Sequence, residues 1–273
     1  MNTRVSLYQA RYGSPEVTVP SAGSALIDQL LAHRSVRAYL PDPVSDDTLS
    51  AIIAAAQSAA SSSNLQAWSV VAVRDTERKS RLASLAGEQE HIRQAPLLLV
   101  WLADLARLER VAGKVGEACA GLDYLEMLEV GVIDAALAAQ NAVAAAESLG
   151  LGTVYIGGMR NQPEAVAAEL ALPPRVIAVF GLCVGTPDPQ AQASVKPRPP
   201  QSVVLHQERY SLPAQDDGLA QYDGAMSAFY ASQGMKVRGT WSNHSAKRIR
   251  DAGALSGRDR LVEALHRLGF PLK

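Results

Sequence analysis

The sequence predicts an α+β fold in which a small mixed sheet is flanked by helices. Helix-like and strand-like segments follow one another without strict βαβ alternation. The segment 96–103, PLLLVWLA, is too continuously apolar for a half-exposed strand, so we expect it to be central in the sheet and covered on both faces. The segment 122–149 has a helical pattern and is rich in alanine, which permits close packing of other elements all round it.

The predicted elements follow in order along the chain. Residues 1–22 are mixed in composition and contain proline and serine, so we interpret them as a loose N-terminal arm. Pro41 and Pro43 forbid a continuous helix, and Ser45 is a good N-cap for a helix through Ser58. Other helices are predicted over 24–32, 75–85, 122–149, 163–170, 219–232 and 255–268, and strands over 68–74, 96–103, 153–158 and 176–185. We expect the arm to precede a single domain, residues 23–273, with a C-terminal helical excursion.

The composition restricts the class of protein. Hydrophobic residues make up 48% of the 273 residues and the net charge is −1, which allows a sizeable core and argues against a general nucleic-acid binder. The segment 233–273 is locally basic, with nine Lys/Arg against three acids. Two distant cysteines, Cys119 and Cys183, suit a reducing cytoplasm, and no histidines stand at metal-ligand spacing. The apolar segment 130–151 contains polar residues such as Asp134, so we predict a buried helix rather than a membrane span.

One short stretch, His33–Arg37 (HRSVR), carries three cationic or potentially cationic groups and a hydroxyl. If the stretch is extended, His33, Ser35 and Arg37 point to one side of the chain. Three donors on one face suit an anion with several oxygens, such as a phosphate monoester. Taken alone, the same stretch is more typical of a solvated basic turn after a helix.

Further segments offer the groups that a mononucleotide with a flat polar ring needs. Ser61–Asn64 and Gln89 supply hydroxyl and amide groups, and the glycine pair in Tyr155–Gly158 lets backbone N–H groups approach a planar ligand closely. Lys196 and Arg198 add two cations on a loop that proline stiffens. Singly, these segments are typical of a turn, a strand end and a solvated loop; together they favour a nucleotide site. Neither a G-x-G-x-x-G nor a P-loop motif is present in the sequence.

With these motifs the chain resembles the nitroreductase superfamily of FMN enzymes. It is most similar to the branch of NADPH-dependent flavin reductases and oxygen-insensitive major nitroreductases. The stretches that carry the resemblance occur in order over about residues 24–270: HRSVRAYLPDPVS (33–45), ASSSNLQAWSVVAV (60–73), LAGEQEHIRQAP (85–96), LGLGTVYIGGMRN (149–161), FGLCVGTP (180–187), KPRPP (196–200) and GTWSNH (239–244).

The resemblance implies a nitroreductase-like, intertwined homodimer with the long helix 122–149 buried at its interface and one FMN in each of two interface pockets. It implies that the FMN phosphate and ribityl chain are held by His33, Arg34, Ser35, Arg37, Lys196 and Arg198, and that Gln89 bonds the ring or the ribityl chain. It places Tyr155, Ile156, Gly157 and Gly158 along the flavin ring, and assigns Ser61, Ser62, Ser63 and Asn64 to the partner subunit's site. Asn64 departs from the branch, which often has an aromatic residue at this position.

The resemblance also implies NADPH as the electron donor. This branch usually places two arginines in the loop before the TWS sequence, where they bind the NADPH 2′-phosphate. Here Arg238 is kept, Gln233 replaces the earlier arginine, and Lys236 is the candidate substitute. We therefore predict that Lys236 and Arg238 bind NADPH. Lysine is a point charge without the arginine fork, so the preference for NADPH over NADH is expected to be less strict.

The expected function is a ping-pong reaction in which NADPH passes a hydride to FMN N5 and a nitroaromatic compound or quinone then takes two electrons. FMN carries the chemistry, so no side chain is assigned as catalytic and no metal is expected. The expected partners are a second copy of the chain and a small aromatic electrophile, with no nucleic acid and no membrane. Two alternatives stay open: an NADPH:FMN reductase that supplies reduced flavin, and a flavin-binding protein without turnover.

Overall fold

Residues 3–191 and 193–273 of the 273-residue chain are described by a computed structural model. Packing divides the chain into two compact units. The helical unit consists of residues 1–34 and 193–255, and the sheet unit consists of residues 35–192 and 256–273. The boundary that the sequence indicates between an arm, 1–22, and one domain, 23–273, stays a prediction.

The elements are numbered in chain order. The helices are α1 Arg4–Tyr12, α2 Ala25–Leu31, α3 Asp46–Gln57, α4 Thr76–Leu85, α5 Glu90–Gln94, α6 Ala106–Val115, α7 Leu125–Ser148, α8 Pro163–Glu169, α9 Gln201–Val204, α10 Asp216–Ser232, α11 Trp241–Arg248 and α12 Leu261–Arg267. The strands are β1 Trp68–Val73, β2 Leu97–Asp104, β3 Gly152–Ile156 and β4 Val176–Gly185. The α+β class and the four predicted strands are therefore confirmed.

The sheet lies in the sheet unit, with the strand order β1-β2-β4-β3. Neighbouring strands are antiparallel, in registers such as Val71 opposite Val100 and Val100 opposite Gly181. A parallel bridge between Ser35 and Thr153 adds a short fifth segment beside β3 and makes the sheet mixed. The stretch that the sequence singled out is therefore attached to the sheet edge at Ser35.

Strand β2 is covered on both faces, as its continuous apolar sequence predicts. Leu99 and Trp101 face the cluster formed with α3 and α7, whereas Leu98 and Val100 face a second cluster formed with α4, α5 and α8. Successive side chains of a strand point to opposite faces, so a strand between two helical layers needs apolar residues at every position.

The long helix α7 is a core helix. Ala135, Ala138, Ala139 and Ala142 are fully buried in the first cluster, where their small side chains let neighbouring elements approach closely. By length and composition alone α7 could cross a membrane, but half of its most apolar window is buried inside the protein. Asp134 is also buried in this helix and is hydrogen-bonded, as a core helix requires.

Residues 4–12 form helix α1 where the sequence indicated a loose arm, so that interpretation is wrong for this segment. Thr3 caps the helix by accepting a hydrogen bond from the Ser6 N–H group, and Gly13 ends it in the left-handed conformation with φ of 64°. Leu7 and Arg11 are buried at helical spacing. The helix is therefore a packed part of the helical unit.

The sequence pattern also misses α6 and α11 and overextends α12. Helix α6 carries Leu108, Val111 and Val115 at helical spacing but buries none of its residues, and α11 buries none either. Helix α12 begins at Leu261 instead of Leu255, because Gly257 takes a left-handed φ of 83° between two short 3₁₀ turns.

Candidate active site

The residues predicted to bind the cofactor fall into two groups, one in each unit, because the boundary between the units lies between Arg34 and Ser35. The helical unit contains His33, Arg34, Lys196 and Arg198, together with the candidate NADPH residues Lys236 and Arg238. The sheet unit contains Ser35, Arg37, Ser61, Ser62, Ser63, Asn64, Gln89, Tyr155, Ile156, Gly157 and Gly158.

In the helical unit, the guanidinium of Arg11 joins the two predicted phosphate-binding segments. Its Nη2 donates to the carbonyl oxygen of His33 at 2.6 Å, and its Nη1 donates to that of Lys196 at 3.1 Å. The side chains of Arg34, Lys196 and Arg198 are exposed, and that of His33 is half-buried. The unit therefore presents a cluster of cations on two backbone segments that one buried residue ties together.

Lys236 and Arg238 lie in the turn between α10 and α11, and both side chains are exposed. The turn ends at a capping box in which Thr240 and Asn243 exchange hydrogen bonds. Asp223 of α10 accepts a hydrogen bond from the Ser242 N–H group at 2.8 Å, which fixes the first turn of α11 on α10. The turn is thus anchored at its C-terminal end while its two cations face solvent.

In the sheet unit, Ser35–Arg37 runs along the edge of β3. The Val36 N–H group donates to the carbonyl oxygen of Thr153 at 2.9 Å, and the Val36 side chain is buried over Gly152, where a Cβ would lie 2.7 Å from it. Arg37 is exposed and Ser35 is half-buried, so Val36 anchors the strand while its two neighbours remain accessible. This alternation from Ser35 to Arg37 is the one expected of an extended segment.

Arg37 also influences the protonation of His91 in α5. Burial, and then the positive charge of Arg37, lower the pKa of His91. The buried Nε2 atom of His91 has no hydrogen-bond partner among the described residues. The cation of Arg37 therefore lies in the same region of the sheet unit as the imidazole of His91. The predicted Gln89 stands two residues before that histidine.

Gln89 and the glycine pair after β3 pack against each other. The Gln89 amide nitrogen donates to the Ala86 carbonyl oxygen at 2.8 Å, and a Cβ on Gly158 would lie 2.6 Å from that nitrogen. Gly157, in contrast, has no atom closer than 3.6 Å to the place of a Cβ. Because Gly158 has no side chain, the backbone after β3 can lie directly beside Gln89.

Tyr155 and Ile156 occupy opposite faces at the end of β3. Ile156 is buried in the second cluster. Tyr155 is 38% exposed and lies edge-on against Phe180, with the two ring centres 5.1 Å apart. Burial, and then the charge of Glu147, raise the pKa of Tyr155, so its hydroxyl stays protonated.

The loop Ser61–Asn64 is held by Asp134 of α7. The Asp134 carboxylate accepts hydrogen bonds from the Ser61 hydroxyl at 2.7 Å, the Ser62 N–H group at 3.2 Å and the Ala67 N–H group at 3.0 Å. Ser63, Asn64 and Gln66 all have positive φ, at 47°, 57° and 53°. A left-handed backbone conformation costs free energy in residues other than glycine. Such conformations persist only when the surrounding structure enforces them, and they are typical of functional sites.

Three residues that bond the backbone or side chains of these segments are not indicated by the motifs in the sequence: Arg11, Asp134 and Arg107. Arg107 of α6 donates to the carbonyl oxygens of Gln66 at 2.8 Å and Trp68 at 3.0 Å, just after the loop. The one available signal was the position of Asp134, since an acid inside an apolar helix has to have a partner. Nothing in the sequence around Arg11 and Arg107 indicates which backbone carbonyl groups they bond, because their partners are distant along the chain.

The comparison with family profiles decides the classification. The profile of the Nitroreductase family matches residues 30–186, and the profile of the Nitroreductase family C-terminal domain matches residues 196–273. The chain belongs to the nitroreductase family. Helix α1 and most of α2 precede the first match.

Individual members of the nitroreductase family are similar over nearly their whole length. An oxygen-insensitive NADPH nitroreductase of Salmonella typhimurium is 40% identical over 248 residues, which are 90% of this chain and 98% of that protein. An FMN reductase (NADPH) of Bacillus subtilis is 38% identical, with 80% of this chain and 88% of that protein covered. Among solved structures, the NADPH:FMN oxidoreductase from Vibrio harveyi in complex with NAD⁺ is 34% identical, with a TM-score of 0.80 over 92% of this chain and 100% of that one.

Proposed function

We propose that this protein is an FMN-dependent NADPH oxidoreductase that reduces nitroaromatic compounds or quinones in a ping-pong reaction. The observation that carries this proposal is the match over 98% of the length of a NADPH nitroreductase. Relatives named for FMN reduction and for NADPH use support the same cofactors. When bound, FMN would supply the hydride and two-electron transfer chemistry between NADPH and the acceptor.

The donors in the helical unit fit the phosphate of FMN. Arg34, Lys196 and Arg198 are exposed cations on backbone segments whose carbonyl groups are already bonded to Arg11. A phosphate carries several acceptor oxygens and is best bound by fixed cations of this kind. His33 completes the helical group, and Ser35 and Arg37 continue the same stretch of chain in the sheet unit.

The groups in the sheet unit fit a flat polar ring. Gln89 offers an amide, and nearby Gly157 has no atom closer than 3.6 Å to the place of a Cβ, which leaves the open backbone that a planar ligand requires. We assign Gln89 to the flavin ring or ribityl chain, and Tyr155–Gly158 to the edge of the ring. The hydroxyl and amide groups of Ser61–Asn64, held by Asp134, are assigned to the flavin of the partner subunit.

The protein itself positions the reactants, excludes water and provides charge. Lys236 and Arg238 are assigned to the 2′-phosphate of NADPH, because both are exposed cations on an anchored turn. No side chain is assigned as a proton donor in this reaction. The acceptor is a small aromatic electrophile that occupies the site after the nicotinamide leaves.

We infer that the protein is a cytoplasmic homodimer. Leu125, Ile133 and Leu137 are 47%, 55% and 44% exposed along α7, and an exposed apolar stripe on a central helix favours a protein partner. The cysteines Cys119 and Cys183 are both free, which suits a reducing compartment. Replacing Ile133 by arginine should convert the dimer to monomer in sedimentation velocity and release FMN, whereas a dimer that persists contradicts the assignment of this face.

The phosphate assignment is tested by the double variant Arg37→Ala/Arg198→Ala. Loss of two cations should release FMN during gel filtration, measured as the ratio of flavin to protein absorbance. The matched control is Arg110→Ala/Arg248→Ala, which removes one exposed arginine from each unit, neither of them a predicted site residue. FMN retained by the test variant at the wild-type ratio contradicts the assignment.

A second enzymatic function, NADPH-dependent reduction of free flavin, is favoured by the similarity to an FMN reductase. Steady-state rates with a nitroarene, a quinone and free FMN separate the two functions. Addition of NADPH without oxygen tests turnover itself: rapid bleaching of the visible flavin band is expected. A band that stays unchanged would indicate a flavin-binding protein without turnover.

A further inference from the structure

Helix α1 precedes the part of the chain that the family profiles match, yet it is tied to both predicted phosphate-binding segments. Arg11, in its last turn, is only 8% exposed. Besides the carbonyl groups of His33 and Lys196, its guanidinium bonds that of Leu31 at 2.8 Å. Arginine can do this because its planar fork presents five N–H donors in fixed directions.

The backbone of the second segment is pinned at three consecutive residues. The Lys196 carbonyl group accepts from Arg11, the Pro197 carbonyl group accepts from the Tyr222 hydroxyl at 3.1 Å, and the Arg198 N–H group donates to the Arg11 carbonyl oxygen at 2.7 Å. Two of these three bonds come from Arg11. The end of α1 packs here as well, since a Cβ on Gly13 would lie 3.0 Å from the Pro197 side chain.

In residues 196–198 the backbone and the side chains have different roles. The backbone groups of residues 196–198 are bonded inside the protein, while the side chains of Lys196 and Arg198 remain exposed. A binding loop that is already ordered loses little conformational entropy when a ligand arrives, so its cations bind more tightly than those of a mobile loop. Arg11 does not need to contact the ligand to have this effect.

We propose that Arg11 is a positioning residue for the cofactor phosphate. It holds the backbone of His33 and that of residues 196–198 at one separation, so that their side chains meet the same phosphate. The proposal rests on the proposed function, because it assumes that these segments bind the phosphate of FMN. It assigns a task to an N-terminal helix that lies outside the family profiles.

The test compares FMN with riboflavin, which has the same ring and ribityl chain but no phosphate. The full-length chain is freed of flavin, and both dissociation constants are measured from the quenching of flavin fluorescence. For Arg11→Ala we expect the dissociation constant of FMN to rise about 10- to 100-fold and that of riboflavin to change less than about threefold. An equal loss for both flavins, or an FMN constant unchanged within about threefold, overturns the proposal.

The matched control is Arg4→Ala, in the same helix. Arg4 forms an ion pair with Asp28 of α2 at 2.9 Å and therefore also ties α1 to the unit, but it touches neither His33 nor residues 196–198. We expect both flavins to bind this variant within about threefold of the wild type. A selective loss of FMN affinity in Arg4→Ala would mean that any loosening of α1 has the effect, and would overturn the role of Arg11.

Arg11→Lys keeps the proposal testable if the alanine variant does not fold. Lysine retains the positive charge and the long stem but cannot hold three carbonyl groups in fork geometry. We expect the ratio of the riboflavin to the FMN dissociation constant to fall by about 3- to 10-fold in this variant. A ratio equal to that of the wild type overturns the proposal.

The double variant Arg37→Ala/Arg198→Ala, in the same assay, separates the failure of this proposal from failure of the proposed function. If the double variant binds FMN as the wild type does, the phosphate assignment itself is wrong. If the double variant loses FMN while Arg11→Ala keeps the wild-type ratio, only the positioning role is wrong.

Discussion

Asp134 offers the sharpest test of how the fold builds the Ser61–Asn64 loop. One carboxylate oxygen accepts from the Ser61 hydroxyl and the Ala67 N–H group, and the other accepts from the Ser62 N–H group. Asp134 is 1% exposed. Replacement by asparagine keeps one acceptor oxygen but turns an NH₂ group toward a backbone donor, so at least one hydrogen bond is lost.

The magnitude depends on how far each of the three donors is buried. Asp134→Asn should lower the free energy of unfolding by about 1–3 kcal/mol, since one donor loses its partner. Asp134→Ala leaves all three donors without the carboxylate, but Ser61 and Ser62 are accessible enough to bond water. The buried Ala67 N–H group has no such substitute, and we expect a total loss of about 3–5 kcal/mol.

The assay is urea unfolding of the flavin-free chain, with the midpoint and the slope fitted separately. The FMN dissociation constant is measured on the same samples and should rise about tenfold or more, because Ser63 and Asn64 keep their left-handed conformations only while the loop is anchored. Glu117→Gln is the control: it removes one exposed charge from the sheet unit outside α7 and should change the stability by less than about 0.5 kcal/mol.

Two results would refute this reasoning. The first is an Asp134→Ala variant that unfolds within about 1 kcal/mol of the wild type, since the carboxylate would then contribute little to the loop. The second is a clear loss of stability with unchanged FMN affinity, which would separate the loop from the cofactor site.

Three further predictions address other parts of the site. Gly158→Ala should lower the free energy of unfolding by about 1–3 kcal/mol and weaken FMN binding, whereas Gly157→Ala should be close to neutral, because only the first Cβ would clash with the Ala86 carbonyl oxygen and the Gln89 amide nitrogen; equal effects on urea unfolding would contradict this. Lys236→Gln/Arg238→Gln should lower kcat/KM for NADPH about 10- to 100-fold and that for NADH much less, and a parallel loss for both donors would argue against a 2′-phosphate site. Since burial lowers the pKa of His91 below 6.5, the unfolded chain binds the proton more tightly, so the stability contribution of neutral His91 is complete above pH 6.5 and is lost as the pH falls below it. His91→Gln should therefore flatten the dependence of unfolding free energy on pH below about 6.5, and an unchanged slope would show that His91 does not contribute to that dependence.

The sequence predicted well those features that depend on neighbours within a few residues. Ser45 caps α3 by accepting from the Thr48 N–H group, as its position before two aspartates indicates. The bounds of β4 are those that its apolar run predicts, and β2 is one residue from its prediction. These features could be predicted because helical capping and strand burial produce residue patterns at spacings of one to four residues.

The family and its cofactor chemistry could also be predicted from the sequence, because the family's motifs occur in order along the chain and retain the residue types of the family. The roles of the individual site residues stay predictions, and the structure adds how their backbones are held. It places the cations in the helical unit on segments that are bonded internally, and it places Gln89 against a glycine. Neither statement can be made from the order of residues alone.

The sequence by itself therefore determined the four strands, the family and the chemical character of the candidate site: cations for a phosphate and amides for a flat ring. Only the tertiary structure decided which residues hold that site in shape. Arg11 bonds Lys196 across 185 residues, and Asp134 bonds Ser61 across 73. Such contacts leave no periodic signal, because they arise when the packing of whole elements brings distant segments together and a buried charge must then find its hydrogen-bond partners there.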